Sequence, residues 1–362
     1  MARITLDNVT KQFGTVMAAD NITLSIEDGE FFALLGPSGC GKTTTLRLIA
    51  GLETPDAGRI TIGDRDVTAL PPRARDVAMV FQDYALYPHM TILENIGYPL
   101  KVRGVAGNEI RERVTEVAHN LQIAQLLERR PAQLSGGQQQ RASVARALVH
   151  QPQVFLFDEP LSNLDAKLRV EARAFLRHLQ QEVGITAVYV THDQAEAMAL
   201  ADRIAIMEHG RIVQLGAPLE VYHQPGTTFV AGFIGSPPMN LIPCRLERTP
   251  ENLFLVGDGF RLDISSLRER VPADVGSDEE VILGIRPEHL SLVDTATPQA
   301  ICGQVYVVQP LGAETLVNLV VNGTTVSVRL FSDEPPRLPE QVWLRPDPSR
   351  LRLYRSTGEL AM

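Results

Sequence analysis

A chain of 362 residues, 44% of them hydrophobic, can bury more than one core, because single cores stop growing at roughly 250–300 residues; two domains are the first expectation. Forty-three acidic against 34 basic residues leave a formal charge of −9, and no long Lys/Arg run supplies a phosphate-tracking stripe, so nucleic acid is not an expected partner. Cys40, Cys244 and Cys302 stand far apart in no CxxC pattern, which argues against a disulfide framework or a zinc site and fits a reducing, cytosolic setting.

In chain order, "MARITLDNVT" lacks the apolar run of a signal peptide, and "FFALLG" falls far short of the about 20 residues that cross a bilayer. "RITLDNVTKQF" and "NITLSIEDGE" alternate as short strands of an antiparallel layer. "EFFALLG" reads as a strand buried on both faces, followed by glycines and the helix "TTTLRLIAGL". From about 84 to 150 the pattern is helical, as in "NEIRERVTEVAHNLQI". "VFLFDEP", "TAVYVTHD" and "RIAIMEHGRIV" add strands, with "AKLRVEARAFLRHLQQEVG" as a crossover helix, so one α/β domain spans residues 1–235. "IGSPPMNLIP" reads as a linker, and residues 236–362 as a small all-β domain in which Asn322-Gly323 joins two strands as a type I′ hairpin.

"GPSGCGKTT" matches G-x-x-x-x-G-K-[ST] through Gly36, Gly41, Lys42 and Thr43, and it lies between a strand and a helix, as the motif demands. The loop Gly36, Pro37, Ser38, Gly39, Cys40 and Gly41 wraps phosphates with its backbone N–H groups, Pro37 supplying none, and Lys42 reaches the β/γ-phosphates. The Thr43 hydroxyl meets Mg²⁺ with Thr44 beside it, at the positive end of the helix. Cys40 fills a variable position. "VFLFDEP" ends in two carboxylates that a strand points in opposite directions: Asp158 suits direct or indirect Mg²⁺ ligation, and Glu159 suits holding and deprotonating water. "TAVYVTHD" ends a further strand at His192, the carboxyl edge where a ligand crevice is expected, and Gln82 ends "VAMVFQ". "LSGGQQQRASVARAL" opens a second helix on a Ser-Gly-Gly turn and carries Arg141 and Arg146: a second anion-seeking helix start in one chain.

The phosphate loop, Gln82, "LSGGQ", "FDEP", "LSNLD" and "VTHD" follow the order seen in ATP-binding-cassette transporter ATPases, and over essentially the whole first domain the chain resembles that family. The resemblance implies a P-loop α/β fold with a helical subdomain at about 84–150 and an antiparallel β layer, using ATP and Mg²⁺. It implies two copies stacked head to tail, with Leu134, Ser135, Gly136, Gly137 and Gln138 of each closing on ATP held by the other. Gln82 then senses Mg²⁺ and the attacking water, His192 lies near the γ-phosphate, Phe13 stacks on adenine, and Asp165 lines the dimer seam. Tyr84, Leu86, Tyr87, Pro88 and His89 mark the face toward two transmembrane permease subunits, placing the chain peripherally at the cytoplasmic face of the cell membrane.

"FIGSPPMN", "GIRPEHL" and "LGAETLV" resemble the C-terminal oligobinding-fold-like (TOBE-type) domain of importer ATPases for maltose, trehalose or glycerol-3-phosphate, with importers for polyamines, iron or sulfate carrying related tails. In such systems an extracytoplasmic binding protein captures the solute, which never touches the ATPase. A soluble cassette ATPase acting on DNA or ribosomes would call for heptad arms, a tandem cassette or a basic surface, which this sequence lacks. An exporter cassette is often fused to its membrane spans.

Overall fold

Phe31–Leu35, apolar at every position, is also buried at every position, because alternate residues enter two different cores. The structure is a computed structural model that describes residues 2–362 apart from Gly259, Ala296, Pro298, Asn322 and Asp333. It divides into two compact units, Met1–Leu219 and Glu220–Met362.

The first unit runs β1 (Ile4–Phe13), β2 (Val16–Ile26), β3 (Phe31–Leu35), α1 (Lys42–Ala50), β4 (Ala57–Ile62), β5 (Arg65–Asp66), β6 (Val77–Val80), α2 (Ile92–Val102), α3 (Gly107–Asn120), α4 (Gly136–Leu148), β7 (Val154–Asp158), α5 (Ala166–Val183), β8 (Thr186–Thr191), α6 (Gln194–Leu200), β9 (Arg203–Glu208) and β10 (Arg211–Gly216). A six-stranded sheet has the order β10-β9-β3-β8-β7-β6, parallel except for β10 against β9. Phe31, Phe155, Phe157 and Tyr189 face the core shared with α2–α5, while Phe32, Leu34, Leu156 and Val190 face the core shared with α1 and the antiparallel layer. That two-sided burial is why these strands read as unbroken apolar runs. The antiparallel layer is larger than the sequence suggested: its order is β2-β1-β4-β5, with "AGRITI" adding β4 through pairs such as Ile4↔Ile62.

The second unit begins with the end of α7 (Pro218–His223) and α8 (Thr228–Phe233), then β11 (Asn240–Arg248), β12 (Leu253–Gly257), β13 (Phe260–Asp263), β14 (Glu279–Ile285), β15 (Leu290–Val293), β16 (Ile301–Pro310), β17 (Thr315–Val321), β18 (Thr324–Leu330), β19 (Gln341–Pro346) and β20 (Arg352–Arg355). Two five-stranded antiparallel sheets, β13-β12-β11-β14-β20 and β15-β19-β16-β17-β18, pack around one core that includes Ile242, Leu283, Leu319 and Leu353. Gly323 takes φ 71° between β17 and β18; its expected turn partner Asn322 lies outside the described residues.

The division falls earlier than the linker expected near residue 235. A six-residue helix has no core of its own, so α8 buries Ala231 with Met239 and Tyr354, and the buried guanidinium of Arg286 donates to the Ile234 carbonyl at 2.6 Å. These contacts assign residues 220–235 to the all-β unit.

Candidate functional site

Strands β3, β6, β7 and β8 run parallel, so the loops that leave their carboxyl ends share one edge of the sheet. Residues 36–41, Gln82, Glu159 and His192 all lie in those loops, and Asp158 is the last residue of β7.

After β3 the chain turns into α1 through Gly41, which caps the helix at φ 104°; a Cβ there would come within 2.0 Å of the Ala18 carbonyl oxygen. Lys42 is buried, and its Nζ donates to the carbonyls of Gly36 at 2.8 Å and Pro37 at 2.9 Å. The loop thus coils around its own ammonium while Pro37, Ser38 and Gly39 stay exposed. Cys40 is buried beside Lys42, with Nζ 3.7 Å from Sγ, and burial pushes the thiol's pKa up, so it packs the loop from inside and is a poor nucleophile. Thr43 donates its hydroxyl to Asp158 Oδ1 at 3.1 Å, and the half-buried Thr44 follows on α1. Burial raises the Asp158 carboxyl above its ordinary range, with the Thr43 hydrogen bond opposing. A hydroxyl and a carboxylate converging beside a phosphate-type loop suit Mg²⁺, which keeps most of its waters and takes few protein oxygens.

Asp158 and Glu159 are separated by a different device from the one expected. β7 stops at Asp158, and Glu159 takes the left-handed φ of 46° while its N–H donates to the Val190 carbonyl at 3.0 Å. A backbone bend, and not strand alternation, therefore sets where Glu159 stands relative to Asp158. Glu159 Oε2 lies 3.0 Å from Nδ1 of the exposed His192. Gln82 is exposed after β6, and its carbonyl accepts from Asn163 Nδ2 at 2.9 Å, so the loop preceding Asp165 is tied to it. Asp165 is exposed and caps α5, accepting from the Leu168 N–H at 2.9 Å.

The second helix start is built otherwise. Leu134 is buried and anchors the turn by its side chain. Ser135 is exposed and its N–H donates to Gln138 Oε1 at 3.0 Å. A Cβ on Gly136 would meet Leu164 Cδ2 at 3.0 Å, whereas one on Gly137 would find only Leu168 Cδ2 at 3.8 Å, an ordinary contact. Ser135, Gly137, Gln138, Arg141 and Glu171 line a cleft of about 220 Å³ that no residue of the phosphate loop reaches.

Both arginines of α4 are hydrogen-bonded to groups other than this start, although Arg141 lines its cleft. Arg141 donates to the Leu121 carbonyl at 3.2 Å and to Gln122 Oε1 at 3.1 Å. Arg146, in the last turn, donates to the carbonyls of Ala85 at 2.6 Å and Tyr84 at 2.9 Å, and Ser143 Oγ also donates to Tyr84 O at 2.9 Å. These bonds hold two successive left-handed residues, Tyr84 at φ 61° and Ala85 at φ 47°. Arg146, Ser143 and Asn163 were invisible in the sequence as loop clamps, since a polar residue facing a distant carbonyl leaves no periodic mark.

Tyr84 is itself a correction. Its ring is buried in the core, so it cannot belong to an exposed contact face; Tyr87, Pro88 and His89 are exposed and Leu86 is half-buried. A cleft of about 670 Å³ beside them is lined by Ala85, Tyr87, Tyr98, Arg103 and Arg146, among others. Phe13 ends β1 with 44% of its surface exposed, and Lys11 Nζ lies over one side of its ring at 5.2 Å from the centroid.

Residues 19–162 match the ABC transporter family, residues 235–290 the MalK OB fold domain, and residues 283–353 the TOBE domain. The chain is 47% identical to a sulfoquinovosyl glycerol transport ATP-binding protein of Agrobacterium fabrum and 48% identical to a trehalose/maltose import ATP-binding protein of Thermococcus litoralis, covering 99% of both chains each time. It is 50% identical to an sn-glycerol-3-phosphate import ATP-binding protein of Ruegeria pomeroyi, over 90% of this chain and 88% of that one. Among solved structures, a dimeric post-hydrolysis ATP-binding cassette bound to ADP and Pi is 34% identical, with a TM-score of 0.54 over 59% of this chain and 98% of that one.

Proposed function

The chain belongs to the ATP-binding subunits of ABC transporters, and on that premise we propose that two copies bind two ATP·Mg²⁺ between them and hydrolyse ATP to drive import of a carbohydrate or related solute through separate permease subunits. The observation that carries the paired arrangement is the "LSGGQ" helix start: an exposed Ser135 and an uncrowded Gly137, with no cation in the first turn and both α4 arginines hydrogen-bonded to other groups, Arg141 while lining the same cleft. Glycine in a helix costs about 1 kcal/mol against alanine, and among the described residues nothing crowds position 137 enough to require it. A phosphate delivered by a twin subunit does require it, because its oxygens must approach the amides closely.

At the other half of each pocket, Lys42 exchanges the Gly36 and Pro37 carbonyls for β/γ-phosphate oxygens. Thr43 and Asp158 would hold Mg²⁺, which would supply charge neutralisation at the β- and γ-phosphates. Glu159 takes the proton of the attacking water, with His192 orienting its carboxylate from 3.0 Å. Gln82 joins this set through the Asn163 tie, and Asp165 lines the seam between subunits. Phe13 offers its exposed ring to adenine. When the γ-phosphoryl group has left, like charges separate across the seam and the dimer reopens.

Among the described residues no helix is long and apolar enough to cross a membrane. The cleft beside Tyr87 and Tyr98 is then the docking place for a permease segment, which supplies the span; an extracytoplasmic binding protein delivers the solute. We read the compact unit Met1–Leu219 as carrying the ATPase and the unit Glu220–Met362 as carrying the regulatory β domain, in place of the boundary at 235 expected from the sequence. The deciding experiment is ATP hydrolysis by the chain reconstituted with its permeases, stimulated by sugars and glycerol-phosphate compounds presented in turn; absence of any stimulation by this class overturns the solute assignment.

A further inference from the structure

One buried carboxylate takes no part in the scheme above. Glu196, in the first turn of α6, is 3% exposed and lies beneath the loop that presents His192. Its Oε2 accepts from the Tyr189 hydroxyl at 2.8 Å and from Thr191 Oγ1 at 2.7 Å. Thr191 Oγ1 in turn accepts from the Asp193 N–H at 2.9 Å, so one hydroxyl pins the backbone on both sides of His192. Asp193 Oδ1 caps α6 by accepting from Ala195 N–H at 2.8 Å and Glu196 N–H at 3.3 Å.

The same cluster reaches a second loop. Arg169 on α5 sets Nε 3.9 Å from Glu196 Oε1 and Nη1 3.6 Å from Asp193 Oδ2, while its Nη2 donates to the Leu164 carbonyl at 3.1 Å. Leu164 immediately precedes Asp165, so the guanidinium joins the turn of "LSNLD" to the turn of "VTHD". A buried carboxylate is costly unless paired and hydrogen-bonded; burial pushes the Glu196 carboxyl up, while two hydroxyls and, at 3.9 Å, a guanidinium oppose that, beside the backbone that carries His192.

We propose that Glu196 is a positioning residue for the hydrolysis reaction: through Thr191 it sets the His192 ring against Glu159, and through Arg169 it couples that setting to the loop carrying Asp165. The inference rests on the functional reading above only for what His192 then does. Held this way, the ring keeps its place when ATP enters; released, the loop loses the bond that fixes residues 191 and 193 together.

The test uses the full-length chain labelled with ¹⁵N-histidine, the His192 ring signals being identified by their loss in His192→Ala, alongside ATP affinity by calorimetry and steady-state hydrolysis. Glu196→Ala is expected to move the His192 ring signals and to lower kcat roughly ten- to a hundredfold while leaving ATP affinity unchanged. Glu196→Gln, which keeps an acceptor for both hydroxyls, should restore most of kcat and the native ring signals; should Glu196→Ala fail to fold, Thr191→Val removes the same pin from the other side. Unmoved His192 signals in the folded variants, or a loss that appears in ATP affinity and not in kcat, overturn the proposal. The ring signals report positioning even if hydrolysis proves independent of Glu159, so that failure would count against the functional reading and not against this one.

Discussion

The two helix starts of the first unit, Gly41 before α1 and Ser135 before α4, are both able to hold an anion, and they are built to opposite rules. At α1 the glycine is compelled by the chain itself, through φ 104° and the Ala18 carbonyl, and a buried lysine waits inside the loop. At α4 the helix begins in the open, its first turn bears no cation, and Gly137 answers to nothing nearby. A complete site is crowded from within. An incomplete one is left open for what comes from outside.

Breaking the first kind of site at its chemistry should give the largest effect. Glu159→Gln is expected to lower turnover by about 10²–10⁴-fold while ATP still binds, leaving a nucleotide-bound dimer visible by size-exclusion chromatography; hydrolysis at the native rate would remove Glu159 as the base. The contrast between whole and half sites is sharpened by mixing. Gly137→Val and Lys42→Ala chains should each be inactive alone, yet an equimolar mixture should regain partial ATPase activity, because a mixed dimer pairs an intact phosphate loop on one copy with an intact "LSGGQ" on the other. No recovery in a verified mixed dimer would sink the shared pocket.

Taken singly, Lys42→Ala should weaken ATP binding roughly ten- to a hundredfold by calorimetry, the range expected for losing about 1.5–3 kcal/mol of hydrogen bonding to a charged group. The smallest change is expected at the exposed aromatic: Phe13→Ala should raise the ATP dissociation constant only a few-fold, since a ring stack contributes about 0.5–1.5 kcal/mol beyond its area. An effect on GTP equal to that on ATP would agree with stacking, which is indifferent to the base's hydrogen-bonding edge.

Much of this was legible in the sequence for physical reasons that can be named. Buried parallel strands must be apolar throughout, so β3, β7 and β8 announced themselves, and a phosphate loop tolerates few substitutions at Gly36, Gly41, Lys42 and Thr43. Tyr84 misled because an aromatic among polar and proline residues has the same local pattern whether it faces out or in; only the packing of the helical region decides. Residues 220–235 misled because the Pro-rich stretch after them is the stronger punctuation, while α8 owes its allegiance to Met239, Tyr354 and Arg286, all later in the chain.

By itself the sequence determined the buried strands β3, β7 and β8, the helices that follow them, the phosphate-loop pattern, and that Asp158, Glu159 and His192 stand at strand ends, since each rests on spacing and composition within a few residues. The tertiary structure alone decided that a left-handed Glu159 faces His192, that Arg146 and Ser143 clamp Tyr84 and Ala85, and that Arg169 joins two loops to Glu196. Those are hydrogen bonds and charge pairs between groups far apart along the chain, and their partners are fixed only when the cores on both faces of the sheet have packed.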